Sequence, residues 1–131
     1  MASQCPRCER SRFTVDVPAE LTAYTDAPPL DCCPRCLTAD SGDPAAAESE
    51  PPFETVVPRF PTGTEGVALF LLLDRLDSLA LNRSEIESLV DRLESNGVDL
   101  FLILDRLATD SDIDPSYNLA RRRDQLEELL D

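Results

Sequence analysis

Apolar residues recur at every second position near the start of the chain and at every third or fourth position near its end. Phe13, Val15 and Val17 alternate with Thr14 and Asp16, the period-two pattern of a strand that Pro18 ends. Residues 21–25 fit either a returning strand or a short turn of helix, and Pro28-Pro29 then leads to a cysteine cluster. Beyond residue 63 the period becomes helical. Thr64 is the expected cap of a helix over residues 64–81, with Glu65 in its first turn. Its apolar set, from Val67 through Phe70 and Leu73 to Ala80, is wider than one face, so this helix is either central or bears an interface. Ser84 and Glu87 have the spacing of a capping box for a second helix, striped by Ile86, Leu89, Val90 and Leu93 and stopped at Asn96-Gly97. Asp99 is placed to cap a third, holding Leu100, Phe101, Ile103, Leu104 and Leu107. After a polar break over residues 109–115, Ser116 opens a fourth, with Leu119, Leu126, Leu129 and Leu130.

Between the two regions the pattern fades. Residues 38–52 are rich in Ala, Ser, Asp, Glu and Pro without a hydrophobic period, and are expected to be flexible. Phe53, Val56, Val57 and Phe60, set among prolines, form an arm expected to pack on the helices. The expected organisation is a metal module over 1–37, an acidic Pro-containing linker and extended arm over 38–63, and a helical domain over 64–131. Asp-Arg recurs in the three helical segments at 74–75, 91–92 and 105–106. The intervals are unequal, so this is no fixed array. It is expected to mark the wet edge of each amphipathic helix.

The chemistry lies in the first 36 residues. Cys5-Pro6-Arg7-Cys8 and Cys33-Pro34-Arg35-Cys36 are two Cys-x-x-Cys pairs. Two intervening residues let both sulfurs of a tight knuckle face one centre. Two knuckles thus give four thiolates, the closed coordination of structural zinc. Cys5, Cys8, Cys33 and Cys36 are the predicted metal ligands and Zn2+ the predicted cofactor; iron or an iron–sulfur cluster fits the same ligand type. Cys32 is left over, as a small buried residue, an alternate ligand or a redox partner of Cys33.

Charge narrows the function. The 131 residues carry 26 acids against 12 basic residues, all of them Arg, for a net charge of −14, and there is no His. Residues 1–37 hold four Arg and five acids, and the rest eight Arg and 21 acids, so neither part has the basic stripe that nucleic acid needs. Arg121-Arg122-Arg123 fans around its helix beside Asp124, Glu127 and Glu128, as local ion pairs do. No phosphate loop, nucleophile elbow or histidine-based acid–base pair is present, so no enzyme is expected. The longest apolar run, residues 67–73, is too short to span a membrane. With no secretory pattern before Cys5, a cytoplasmic location is expected, where thiols stay reduced and bind metal.

Residues 5–36 resemble a zinc ribbon, specifically the Cys-Pro-x-Cys knuckles of ribbons in archaeal transcription proteins and small zinc-finger proteins. Such knuckles often have Gly after the second Cys, where Glu9 and Leu37 stand here. The acidic, Lys-free composition resembles that of haloarchaeal cytosolic proteins, for which molar salt screens self-repulsion. The whole layout resembles the uncharacterised small haloarchaeal zinc-ribbon proteins, which imply no activity. The expected fold class is α+β: a ribbon with a β-hairpin, then a bundle of about four helices. The expected role is a non-enzymatic adaptor or regulator that docks a protein through Arg7, Arg35 and their neighbours, with homodimerisation through apolar surface near Phe70 and Phe101. A nucleic-acid-binding transcription factor and a thiol redox sensor are the alternatives.

Overall fold

The computed structural model describes residues 4–5, 7–9, 11–25 and 28–130. They form an α+β architecture, a three-stranded antiparallel sheet followed by four α-helices. Strands β1 (Phe13–Val15), β2 (Leu30–Cys32) and β3 (Ala39–Ser41) lie in that order across the sheet. Phe13 pairs with Cys32, Val15 with Leu30, and Asp31 with both Thr14 and Asp40. Because strand side chains alternate between faces, Phe13, Val15, Leu30 and Cys32 share one face. All four enter the main core. Thr14, Asp31 and Asp40 share the other.

The expected hairpin therefore has a third strand, which comes from the stretch expected to be a flexible linker. Ala39-Asp40-Ser41 shows no alternation that could have revealed it. The second knuckle reverses the chain beside β2, with Cys33 N–H donating to Thr38 O at 3.0 Å and Gly42 N–H to Pro29 O at 2.8 Å. A short 3-10 turn, Pro44–Ala46, follows, capped by the Asp43 side chain. Residues 19–24, overlapping the segment undecided between strand and helix, are a 3-10 helix, Ala19–Tyr24, with Leu21 fully buried.

The helices are α1 (Gly63–Leu76), α2 (Arg83–Ser95), α3 (Leu100–Thr109) and α4 (Leu119–Leu130). Several predicted ends shift. Thr62, not Thr64, precedes α1, and α1 stops at Leu76 rather than near Leu81. Tight turns from Ser78 to Asn82 then leave Leu81 in solvent. Asn82 precedes α2, and Glu87 pairs with Arg83 at 3.2 Å instead of closing a capping box with Ser84. Other signals match. α2 ends at Asn96 with Gly97 at φ +84°, and Val98 N–H reaches back to Leu93 O at 3.0 Å. The Asp99 side chain accepts from Leu102 N–H at the start of α3. The final helix begins at Leu119, where Asn118 Oδ1 accepts from Arg121 N–H at 3.0 Å.

α1 is the central element. Its wide apolar set is buried against α2, the sheet and the arm, and the metal-bearing segment shares one continuous core with the helices. Phe13 of β1, Phe53 and Phe60 of the arm and Phe70 of α1 pack with neighbouring ring centroids 5.3–6.3 Å apart. Phe70 is fully buried, so it offers none of the dimer surface expected there; Phe101 is half-buried under the Arg123 guanidinium. Two of the Asp-Arg arginines also work inward. Arg75 donates to Tyr24 O and pairs with Glu85 at 2.6 Å, and Arg92 bridges Glu20 at 2.8 Å and Glu65 at 3.6 Å. Together they strap the 3-10 helix onto α1 and α2. Arg123 pairs with Asp124 and Glu127, the local ion pairing expected of its cluster, and also with Asp105 across on α3, which was not expected. Among the described residues no helix is long and apolar enough to cross a membrane.

Candidate metal centre

The two knuckles fold alike. Glu9 N–H donates to Cys5 O at 2.8 Å, and Leu37 N–H to Cys33 O at 3.1 Å. The closing residues have φ +60° and +63°, the left-handed region that glycine adopts most readily. Here side-chain-bearing residues hold it, at a cost of about 1–2 kcal/mol each. The knuckle geometry thus survives the absence of glycine.

The sulfurs of Cys5, Cys8, Cys33 and Cys36 lie within 4.8 Å of one another. Cys5 and Cys36 approach to 3.4 Å and Cys8 and Cys33 to 3.3 Å, two close contacts that each join different knuckles. A tetrahedron with metal–sulfur bonds of about 2.3 Å has edges of about 3.8 Å. The set therefore fits one central ion. Cys5, Cys33 and Cys36 are buried and Cys8 is half-buried. The four cysteines can hold a metal ion, and they form a small cluster separate from the main core.

A model of the "Family of unknown function (DUF6276)" matches residues 4–130. The chain belongs to this family. No curated protein and no solved structure matches it. The match spans both knuckles and all four helices.

The electrostatics suit a cation. Burial opposes ionisation of Cys5. The N–H groups of Cys8 and Arg7 and the thiols of Cys36 and Cys8 outweigh it, bringing Cys5 from an ordinary 9.0 down to about 6. Cys33 moves the other way. Burial pushes its thiol up, the N–H groups of Cys36 and Arg35 offset this only in part, and the neighbouring thiols of Cys8 and Cys36 add to it. The two thiols thus ionise unequally, Cys5 readily and Cys33 against an obstacle, as interacting like groups do. A metal ion at the centre removes that obstacle, because it binds the thiolate forms.

Cys32 is not part of this set. It sits on the opposite face of β2, fully buried in the main core, and burial pushes its thiol up. A strand that sends adjacent side chains to opposite faces disfavours both a ligand swap and a Cys32–Cys33 bond. Arg7 is exposed and Arg35 half-buried. Arg7 donates to Asp114 O and, at 3.3 Å, to Pro115 O. Arg35 O accepts from Asp114 N–H at 2.8 Å. Both knuckles are thereby held against the chain's own α3–α4 connection.

Charged residues around the sulfurs escaped the sequence pattern. Arg12, immediately before β1, is only 8% exposed. Its Nη2 lies 2.8 Å from Asp40 Oδ2, 3.3 Å from Thr38 Oγ1 and 3.8 Å from Cys5 Sγ. Its Nη1 is 3.6 Å from Asp31 Oδ2. Burial works against the charge, but Cys5 and Asp40 hold the guanidinium firmly protonated. The available signal was a charged residue abutting a predicted strand; its partners stayed hidden because β3 was not foreseen.

Proposed function

We propose that the protein is a non-enzymatic, zinc-stabilised adaptor or regulatory module that acts by binding another protein. The observation that supports this best is the closed four-sulfur set, which leaves no coordination position for substrate or activated water. Zinc is the favoured ion. An iron–sulfur cluster interposes several irons and sulfides and holds its cysteines further apart than a single ion does. The knuckles and sheet make this a ribbon-like head, whose packing on α1 and on the α3–α4 connection gives metal binding a direct effect on the whole chain.

A protein partner fits better than nucleic acid. A net charge of −14, made more negative by a four-thiolate zinc centre, repels a polyanion. Arg7 stays exposed at the first knuckle while it bonds the α3–α4 connection, so it remains open to a partner. The acidic, Lys-free surface suits a cytoplasm of high salt. The burial of Cys32 in the apolar core counts against a redox sensor built on that thiol.

The test has two arms. Protein purified in molar salt is analysed by native mass spectrometry and elemental analysis, and one zinc per chain is expected. Affinity capture at the same salt is then compared with Cys5→Ser and Cys33→Ser chains. Absence of stoichiometric metal, or capture of the same partners by the cysteine variants, contradicts the proposal.

A further inference from the structure

Asp31 and Asp40 stand directly opposite one another on β2 and β3, a like-charge pair that would normally destabilise a sheet. Arg12 lies between them, and the same guanidinium touches the sulfur set. Thr38 extends the contact: its Oγ1 accepts from Arg12 and lies 3.2 Å from Cys36 Sγ. One buried cation thus bears on Cys5 directly and on Cys36 through a hydroxyl.

We propose that Arg12 is the positioning and charge-compensating residue of the metal centre, oriented by Asp31 and Asp40, and that it makes the site prefer a divalent ion. This rests on the metal-centre reading of Cys5, Cys8, Cys33 and Cys36 and names what tunes that centre. Four thiolates around a divalent ion carry a net charge of −2, around a trivalent ion −1. In a buried setting a fixed positive neighbour stabilises the more negative form more strongly. Lysine could not meet the same partners. Two carboxylates, a hydroxyl and a sulfur call for several donors in a rigid plane, which guanidinium supplies and an ammonium does not. A role confined to tying β2 to β3 would leave the sulfurs' electronic properties unchanged. A role at the centre would not, because a cation beside a thiolate lowers the energy of its lone pairs.

The experiment compares the full-length chain with Arg12→Gln, Arg12→Lys and Thr38→Val, all in molar salt. Zinc affinity is measured by competition with a chromophoric chelator, and the sulfur-to-metal charge-transfer band by cobalt(II) substitution. The ferric–ferrous midpoint is measured after iron substitution. Arg12→Gln is expected to weaken zinc by roughly 10- to 100-fold, as loss of a partner hydrogen-bonded to a metal ligand does. Its cobalt band should move to lower energy, and its iron midpoint should fall. Arg12→Lys should recover part of each effect, and Thr38→Val should weaken zinc several-fold. If Arg12→Gln does not fold, Arg12→Lys and Thr38→Val decide: wild-type affinity and an unmoved band in both overturn the proposal. Wild-type values in a folded Arg12→Gln overturn it too. A wild-type chain that binds none of the three metals overturns the metal-centre reading along with it, whereas normal binding with indifferent variants overturns only the role of Arg12.

Discussion

Arg7, in the first knuckle, donates through its guanidinium to the main-chain carbonyl of Asp114, which lies between α3 and α4. The N–H of the same Asp114 donates to the carbonyl of Arg35 in the second knuckle. Arg7 and Arg35 occupy equivalent positions in their knuckles, so one residue of the helical region is gripped by both halves of the sulfur site. Whatever holds the knuckles together therefore also holds that connection.

Chelation should loosen a distant segment. Removing the metal is expected to raise amide hydrogen exchange across residues 110–117 and the first turn of α4 more than in α1. Because coupling is reciprocal, Arg7→Gln should weaken metal binding. The Arg7 guanidinium makes solvent-facing hydrogen bonds, each worth about 0.5–1.5 kcal/mol, so a decrease of roughly two- to tenfold is expected. Equal exchange in the loaded and chelated protein would show that the two sites are independent.

Gly66 marks the closest approach between α1 and the arm. A Cβ there would lie 2.5 Å from Pro61 O and 2.8 Å from the Phe53 ring. Gly66→Ala should destabilise the chain by about 1–3 kcal/mol through overpacking, despite alanine's better helix propensity. Only part of this should be recovered by Phe53→Leu, because the Pro61 carbonyl remains in the way. Urea unfolding of the two single variants and the double variant measures that coupling.

The left-handed residues that close the knuckles should respond in opposite directions to glycine. Glu9 is exposed and contributes little besides its backbone. Glu9→Gly is expected to stabilise the loaded protein by up to about 1 kcal/mol, the relief of a left-handed Cβ less the added freedom of the unfolded chain. Leu37 has nearly the same φ but is buried in the main core. Leu37→Gly should therefore cost about 2–5 kcal/mol through lost packing. Thermal midpoints that shift the same way in both variants would contradict this account.

What could be read in advance depended on how locally each feature is encoded. Four sulfurs converge because a two-residue spacing shapes each knuckle within itself, and α2 and α3 are legible because their stripes and end signals are local too. Arg12 is different. Its partners lie on β2 and on a strand, Ala39–Ser41, whose sequence carries no period. That strand exists because the second knuckle turns the chain onto a ready edge. Asp114 is equally silent, since it lies in a polar break and its hydrogen bonds to both knuckles use main-chain atoms. The arm was recognisable by its aromatic residues, but only the fold reveals that Phe13, Phe53, Phe60 and Phe70 meet and join the sulfur-bearing segment to α1.

Tyr117 gives the alkaline stability of the chain a specific origin. Its hydroxyl donates to Leu73 O at 2.6 Å, linking the segment before α4 to the central helix. Burial, helped by Asp77 and Asp74 and opposed by Arg122, pushes the phenol up from its ordinary 10.0. A group raised in the folded state binds its proton more tightly there than in the unfolded chain. Its contribution is complete below about pH 10 and is lost as pH climbs towards the folded value, at up to about 1.4 kcal/mol per pH unit. Tyr117→Phe should therefore be less stable than wild type by about 1 kcal/mol at neutral pH, where it lacks the hydrogen bond. Above pH 10 the gap should close and then reverse, because phenylalanine has no proton to lose. Cys32, also raised, titrates in both proteins and cancels in the difference. Urea midpoints measured from pH 7 to strongly alkaline conditions test this, and a gap that stays constant across the range would rule out ionisation of Tyr117 as the cause.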